Sequence, residues 1–405
     1  MQLAVLVIFG LVYLGMLLGE LPGLALDRTG VALLGAIGIV ALGGVPLDRA
    51  WSAVDMPTIY LLFAMMVVSA QFRLAGSYTH FVRQIVALRL SPVALLGLVI
   101  GAAGLLSAVL TNDIICLAMA PLLVEGCARR KLDPVPFLLA LACASNVGSA
   151  ATLIGNPQNI LIGQALRLSF SGYLSEAIVP VVFGLSAIWL VIALQFRGRF
   201  ERAIPVPKVD APTFSRWQTV KGVTVTVGLI VCFLFVHRFP REGVALVGAG
   251  VLLLSRRMAS REMMSLVDWQ LLVLFVGLFI VNDAFRHTGE LARAMDFMRA
   301  HGADTTHPAT LFASSALLSN VVSNVPATML LLPSATHPQA GVILALSSTF
   351  AGNLFIVGSI ANIIVVDAAR GFGVNIDFRT HLRTGVPVTL VTLAGAAAWL
   401  ALVPP

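Results

Sequence analysis

Charged residues are scarce in this chain, 11% of 405, where an ordinary soluble domain carries roughly a quarter. So few charges cannot cover a water-facing surface, and no interval between the apolar runs is long enough for a separate soluble domain. The four cysteines, Cys116, Cys127, Cys143 and Cys232, lie in or beside apolar segments. They form neither a CxxC pair nor the framework of a secreted protein, and read as small apolar filler. HExxH, GxSxG and clusters of His or Cys ligands are missing, which argues against an enzyme. The net charge of +7 comes without a basic stripe interleaved with aromatics, so no nucleic acid partner is expected. What the sequence has instead is hydrophobic residues, 58% of the total, in runs of the ~17–25 residues that span a bilayer. The first, QLAVLVIFGLVYLGMLLG, has no basic n-region and no small-residue cleavage site before Glu20. It reads as a retained helix rather than a signal peptide.

The apolar pattern repeats. GVALLGA at Gly30–Ala36 returns as GVALVGA at Gly243–Ala249, an offset of 213 that also aligns Asp55 with Asp268 and Phe72-Arg73 with Phe285-Arg286. At an offset of 212, LLSAVLTN (Leu105–Asn112) falls on LLSNVVSN (Leu317–Asn324), and Pro121 falls on Pro333. Gly155 and Asn159 match Gly358 and Asn362 at 203. Each half has apolar segments corresponding to 2–19, 28–44, 56–72, 136–166 and 175–195, plus an up-and-down unit (92–127) broken at Thr111-Asn112-Asp113. Whether a re-entrant hairpin or two full passes, that unit returns to the side it left. An odd number of crossings makes the second half inverted. On this topology 19 of the 26 Lys and Arg, including Arg28, Arg83, Arg89 and Arg129, fall on one side. By the positive-inside rule that side is cytoplasmic, and both termini are outside.

Four polar interruptions stand inside the apolar segments: TND (Thr111–Asp113), Ser145–Asn159, SNVPAT (Ser323–Thr328) and Gly352–Asn362. An unpaired polar group in hydrocarbon costs several kcal/mol, so each needs partners. Asn156 before Pro157, Ser359 after Gly358, and Asn324 ahead of Pro326 are residue types that cap a new half-helix. Half-helix N-termini suit an anion, and the carbonyls freed by a break, with Ser, Thr and Asn oxygens, suit a small cation such as sodium. Single Ser, Asn and Gly residues in membrane helices often serve packing alone. Four breaks paired across a repeat read instead as a transport site. The substrate-binding candidates are Thr111, Asn112, Ser145, Asn146, Asn156, Asn159, Ser323, Asn324, Thr328, Ser359 and Asn362. Asn112, Asp113, Gly155, Asn324 and Gly358 are the candidates for Na⁺ or proton coupling. Ser107 and Ser319, a turn before the tips, read as packing residues.

TLIGNPQNILI, the TND turn, SNVPAT and GSIAN resemble the ion transporter superfamily of arsenite permeases, NhaD-type sodium/proton antiporters, citrate transporters and divalent-anion/sodium symporters. The resemblance covers nearly the whole chain and is strongest to bacterial arsenite-permease-like anion transporters. It implies an elevator-type homodimer in which each repeat has five crossing helices, a re-entrant hairpin and a broken helix. The implied division is scaffold 1–90, transport part 91–195, cytoplasmic linker 196–222, scaffold 223–306 and transport part 307–405, with SYTHFVRQIVALRL and LARAMDFMRA as connecting arms. It also implies one cation site at Asn112 with the Ser145–Asn159 loop, and another at Asn324 with the Gly358–Asn362 loop. The first tip, Thr-Asn-Asp, and the second, Ser-Asn-Val-Pro, depart from the Ser-Asn-Thr of the symporters.

The expectation is secondary transport of a small carboxylate or oxyanion across the inner membrane, coupled to sodium or protons. Arsenite or antimonite efflux, and sodium/proton antiport, are the alternatives. Asp113 is the one carboxylate in the four interruptions and falls on Val325 in the other half. It acts either as a coupling residue, its charge opposed by desolvation and favoured by a bound cation, or as a helix cap. Asp55 and Asp268 read as helix-start residues, Asp283 as an ion-pair partner of Arg286 and His287, and His237 as interfacial.

Overall fold

The computed structural model describes residues 1–19, 25–209, 212–236 and 238–403; the interfacial reading of His237 lies outside them. Among the described residues there are twenty α-helices and no sheet. The first ten are α1 (Gln2–Leu18), α2 (Arg28–Ala41), α3 (Leu47–Ala53), α4 (Met56–Leu74), α5 (Ser77–Ala87), α6 (Pro92–Val109), α7 (Asn112–Arg129), α8 (Pro134–Ser149), α9 (Pro157–Ala165) and α10 (Phe170–Gln195). The second ten follow in the same order: α11 (Arg216–Phe235), α12 (Arg241–Leu253), α13 (Ser260–Met264), α14 (Trp269–His287), α15 (Glu290–Ala300), α16 (Pro308–Val322), α17 (Asn324–Leu331), α18 (Ala340–Ala351), α19 (Ile360–Gly371) and α20 (Phe378–Leu402). Every helix of the first repeat therefore has its counterpart ten places later.

Local chemistry explains many of the starts. Ser91-Pro92, Asp133-Pro134 and Asn156-Pro157 each put a cap residue before a proline, whose missing N–H costs nothing at a first helical position. Asp55 accepts from Thr58 N at 3.1 Å and Asp268 from Leu271 N at 2.9 Å, so the paired carboxylates cap α4 and α14 as expected. Each cap contributes about 1 kcal/mol. The arms α5 and α15 begin after Gly76 and Gly289, with φ of 66° and 79°. These are left-handed turns that a Cβ would strain, and they occupy equivalent positions in both repeats. The short helices α3 and α13 were not legible in the sequence, because five to seven residues are too few to establish a period. Asp283 lies 3.6 Å from Arg49 and 3.4 Å from His287, so its expected partner Arg286 is replaced by an arginine from α3.

Packing shows that the repeats are inverted. The equivalent helices α10 and α20 lie side by side, with Thr384 near the start of α20 donating to Gln195 at the end of α10 (2.9 Å). At the other end of the pair, Trp399 near the end of α20 donates to the carbonyl of Glu176 near the start of α10 (2.9 Å). The two run antiparallel. Conversely α2 packs on α14 and α4 on α12, the exchange that a two-fold relation requires. Within the first repeat, Arg130 at the end of α7 donates to the carbonyls of Leu88 (3.1 Å) and Leu90 (2.6 Å), just before α6. The α6–α7 unit therefore returns to the level it left.

Among the described residues six helices, α4, α6, α10, α11, α14 and α20, are singly long and apolar enough to cross a membrane. The outer faces of α1 and α11 present stripes of exposed Leu, Val and Phe that lipid can cover. With inverted repeats, a cysteine at exposed Ala203 in the linker and one at exposed Thr336 after α17 should react with a membrane-impermeant maleimide from opposite sides of intact vesicles. Labelling of both from one side would be incompatible with the inversion.

Candidate functional site

The four interruptions meet. A cavity of ≈ 50 Å³ is lined by Asn112 and Asp113 at the start of α7, Pro157 and Gln158 at the start of α9, Ser323 to Pro326 at the start of α17, and Ser359 and Ile360 at the start of α19. Met16, Arg28, Leu271 and Leu274, from the ends of α1, α2 and α14, close the opposite wall. Four helix N-termini thus address one small space. Each presents unpaired N–H groups and roughly half a positive charge.

Asn146 is the hub behind the cavity. This residue of α8 is only 1% exposed. Its oxygen accepts from Asn112 Nδ2 (3.3 Å) and Ser359 Oγ (2.8 Å), and its Nδ2 donates to Asn353 Oδ1 (2.9 Å) and Asn362 Oδ1 (3.1 Å). One carboxamide therefore joins the first tip to the second broken helix, across the two repeats. Asn156 caps α9 by accepting from Asn159 N at 2.8 Å, and Ser359 caps α19 by accepting from Ala361 N at 3.2 Å. The second tip differs from expectation by one residue. Ser323, not Asn324, is the N-cap of α17, with φ 77° and ψ 160°, and Asn324 is the first helical residue. A non-glycine residue in that region costs about 1–3 kcal/mol and is characteristic of functional turns.

The break loops are stitched alike in both repeats. Asn159 Nδ2 donates to the carbonyls of Ser149 (3.5 Å) and Thr152 (2.9 Å), and Asn362 Nδ2 to those of Gly352 (2.8 Å) and Phe355 (3.0 Å). All four acceptors obey the sequence offset of 203. Tyr173 reinforces the first loop by donating to Ala150 O at 2.6 Å. Gly155 is pressed between the carbonyls of Ser149 and Ser107, where any Cβ would collide with backbone, and its own carbonyl accepts from Asn112 N at 3.2 Å.

Of the residues proposed from sequence, Asn112, Asp113, Ser323, Asn324 and Ser359 line the cavity. Thr111 turns its hydroxyl to Ser69 of α4 (3.3 Å), and Ser145 donates to Ala142 O (2.9 Å) while its oxygen lies 3.0 Å from Cys116 Sγ. Asn146, Asn156, Asn159 and Asn362 form the layer behind, and Thr328 is fully buried within α17. Asp113 makes no capping hydrogen bond among the described residues; Thr111 occupies the N-cap position of α7.

Sequence reasoning did not single out Arg28, Gln158, Asn320 and Asn353. Arg28 was counted only as a loop charge, but it lines the cavity and its Nε is buried without a hydrogen-bond partner among the described residues. Asn320 Oδ1, also buried and unpartnered, faces Gly358, 3.0 Å from where a Cβ would stand. Its place in the LLSNVVSN repeat, opposite Ala108, hid it from a symmetry argument. Ser319, read as a packing residue, sits with its hydroxyl within hydrogen-bond reach of both Asn324 Oδ1 and Ser348 O, and its one proton serves either acceptor, which places the second tip against α18.

An apolar helical body with paired helix breaks converging on a polar cavity defines a membrane transport protein. The chain belongs to the CitMHS citrate transporter family, whose model matches residues 4–343. It is 30% identical to the 46 kDa membrane protein of Mycobacterium leprae, over 92% of this chain and 94% of that one. It is 28% identical to the silicon efflux transporter LSI3 of Oryza sativa subsp. japonica, over 96% of this chain and 95% of the relative. Putative transporter arsB of Dictyostelium discoideum is 23% identical over 91% of this chain and 86% of its own length. The crystal structure of the Alcanivorax borkumensis YdaH transporter superposes with a TM-score of 0.64 at 16% identity, covering 98% of this chain and 96% of that one, which supports the fold alone.

Because Asn146 serves four partners, Asn146→Ala should destabilise the detergent-solubilised protein by about 1–3 kcal/mol, the cost of leaving buried polar groups unpaired. A fall in thermal midpoint relative to the wild type, read by tryptophan fluorescence, is the measurement. An unchanged midpoint would mean that the hub does not hold the repeats together.

Proposed function

We propose that the chain is a secondary active transporter that carries a small anion, a carboxylate or an oxyanion, across the inner membrane, coupled to sodium or protons. The observation that carries this reading is the convergence of the N-termini of α7, α9, α17 and α19 with Arg28 on one cavity, where Asp113 is the only carboxylate among the described residues. The helix ends together amount to about two positive charges. In a site shielded from water such a field attracts an anion. Buried, unpartnered carboxamide oxygens flank the cavity region: Asn112 Oδ1, on the residue whose N–H donates to the Gly155 carbonyl, and Asn320 Oδ1 by Gly358. Neutral oxygens beside freed backbone carbonyls are hard ligands suited to sodium.

The elevator reading rests on the division of the cavity wall. One side comes from α7, α9, α17 and α19, and the other from α1, α2 and α14. At ≈ 50 Å³ the cavity is too small for a carboxylate such as citrate, since a single water takes about 30 Å³ in the liquid. Substrate entry then requires the two sides to move apart or slide. Arg28 and Leu271 belong to helix ends that the charge distribution assigns to the cytoplasm, so the site is nearer the inner surface in this conformation. Both termini are outside in this reading, and the working unit is a homodimer.

Arsenite or antimonite efflux is the second reading. A neutral hydroxylated solute would bind the same Asn and Ser groups, and the relatives named silicon efflux transporter and arsB favour it. Sodium/proton antiport without another substrate is the third. Proteoliposome uptake of citrate, succinate, sulfate, phosphate and arsenite, with and without sodium and pH gradients, separates the three. Arsenite alone would replace the anion proposal, and ion exchange without any solute would replace both.

Asn112→Ala and Asn324→Ala should each lower transport by about tenfold or more, as expected for losing a hydrogen bond worth about 1.5 kcal/mol, with folding retained because Asn146 Oδ1 keeps Ser359 and Ser319 keeps Ser348 O as partners. Wild-type transport by both variants would move the site elsewhere. Asp113→Asn keeps the side-chain shape and removes the titration. It should still bind substrate but lose the pH or sodium dependence of transport; wild-type dependence at unchanged turnover would return coupling to the asparagines and carbonyls.

A further inference from the structure

A cavity of ≈ 710 Å³ opens away from the polar centre, where α5, the α5–α6 linker and the end of α7 meet. Arg83, Arg89, Arg129 and Arg130 line it with a single carboxylate, Glu125, and Leu88 and Leu122 contribute apolar wall. Glu125 is 5% exposed and already engaged, accepting from Arg83 Nη2 at 3.1 Å and Arg129 Nη2 at 2.7 Å. Among the described residues Arg130 has no carboxylate partner; its guanidinium is pinned by the carbonyls of Leu88 and Leu90, which fixes the linker on which Arg89 stands. Arg89 has neither an ion pair nor a side-chain hydrogen bond among the described residues, and it is exposed. The cavity therefore carries an excess of three positive charges over an apolar floor, at one end of a membrane-embedded helical hairpin.

The fold does not require these charges. At the repeat offset of 213, Arg83 corresponds to Asp296 and Arg89 to Gly302. The 8-residue α17 is shorter than the 18-residue α7 and has no counterpart of the turns that carry Glu125 and Arg129. The basic cavity is present in one repeat only, next to the Arg129–Lys131 cluster that marks a membrane surface.

We propose that this cavity binds the headgroup of an anionic phospholipid. The phosphate lies among Arg83, Arg89 and Arg129, and the first acyl carbons lie against Leu88 and Leu122. Position and composition both favour a lipid over a free anion: the charges ring an open cavity at a helix end, and its floor is apolar. A bound headgroup would tie the arm α5 to the base of the α6–α7 hairpin, adding to the Arg83–Glu125 pair that already joins them.

The test is native mass spectrometry of purified full-length protein with phosphatidylglycerol or phosphatidylcholine, for the wild type, Arg89→Gln, Arg89→Lys and Arg89→Gln/Arg129→Gln. Phosphatidylglycerol should be retained preferentially by the wild type, about fivefold less for each charge removed, and near normally by Arg89→Lys. Thermal midpoints identify any variant that fails to fold, and Arg89→Gln, whose side chain holds no other element in place, then decides alone. Equal retention of the two lipids by the wild type, or wild-type phosphatidylglycerol retention in Arg89→Gln and the double variant, would overturn the proposal. Displacement of phosphatidylglycerol by millimolar inorganic phosphate would also overturn it, by making the cavity a free-anion site.

Discussion

Broken backbone cannot stand in hydrocarbon without partners, and this constraint governs the centre of the molecule. Four helices end or begin at depth, each freeing carbonyls and N–H groups that cost several kcal/mol if left unpaired. The protein meets the constraint by bringing the breaks together, so that three of them supply partners for one another while the second tip is tied by Ser319. Asn146 joins three of them, bonding from its own break to the first tip and to the Gly352–Asn362 loop, and Asn159 and Asn362 stitch the two loops with the same pair of bonds. Interhelical hydrogen bonds in membranes average only about 0.6 kcal/mol each. Their importance here lies less in net stability than in removing the alternative of an unpaired group.

The same arrangement underlies the proposed function. Once the carbonyls are stitched, the N–H ends of four half-helices remain, directed at a common cavity with Arg28 and Asp113. Backbone dipoles provide a positive field without placing several bare charges in the membrane. The two repeats are not used equally. Asp113 has Val325 as its counterpart, Asn320 has Ala108, and the basic cavity beside α5 has none. Symmetry supplies the scaffold, and departures from it supply the candidate residues for coupling and for lipid.

Much of the architecture was legible because a membrane restricts the options. Long apolar runs had to be helices, and X-Pro pairs such as Asn156-Pro157 marked where they start. The repeat offsets aligned the helices in the correct order, and the four interruptions are elements that meet at one cavity. Resolution failed within the elements. Thr328, Ser145 and Asn159 share the composition of the cavity-lining residues, yet their side chains are buried behind it. Rotation about each helix axis, which decides between lining and packing, leaves little trace when nearly every neighbour is apolar.

By itself the sequence determined a helical membrane chain with an inverted repeat, polar breaks at matching places and a basic bias to one side, because hydrophobic length and loop charge act locally and leave a direct record. Tertiary structure alone decided which polar groups face the cavity, that Arg28 reaches it, that Asn146 is the hub, and that Asp283 pairs with Arg49. Those outcomes depend on helices far apart in the chain meeting at particular angles. A hydrogen bond between Asn146 and Asn362, 216 residues apart, has no local signature that composition or periodicity could carry.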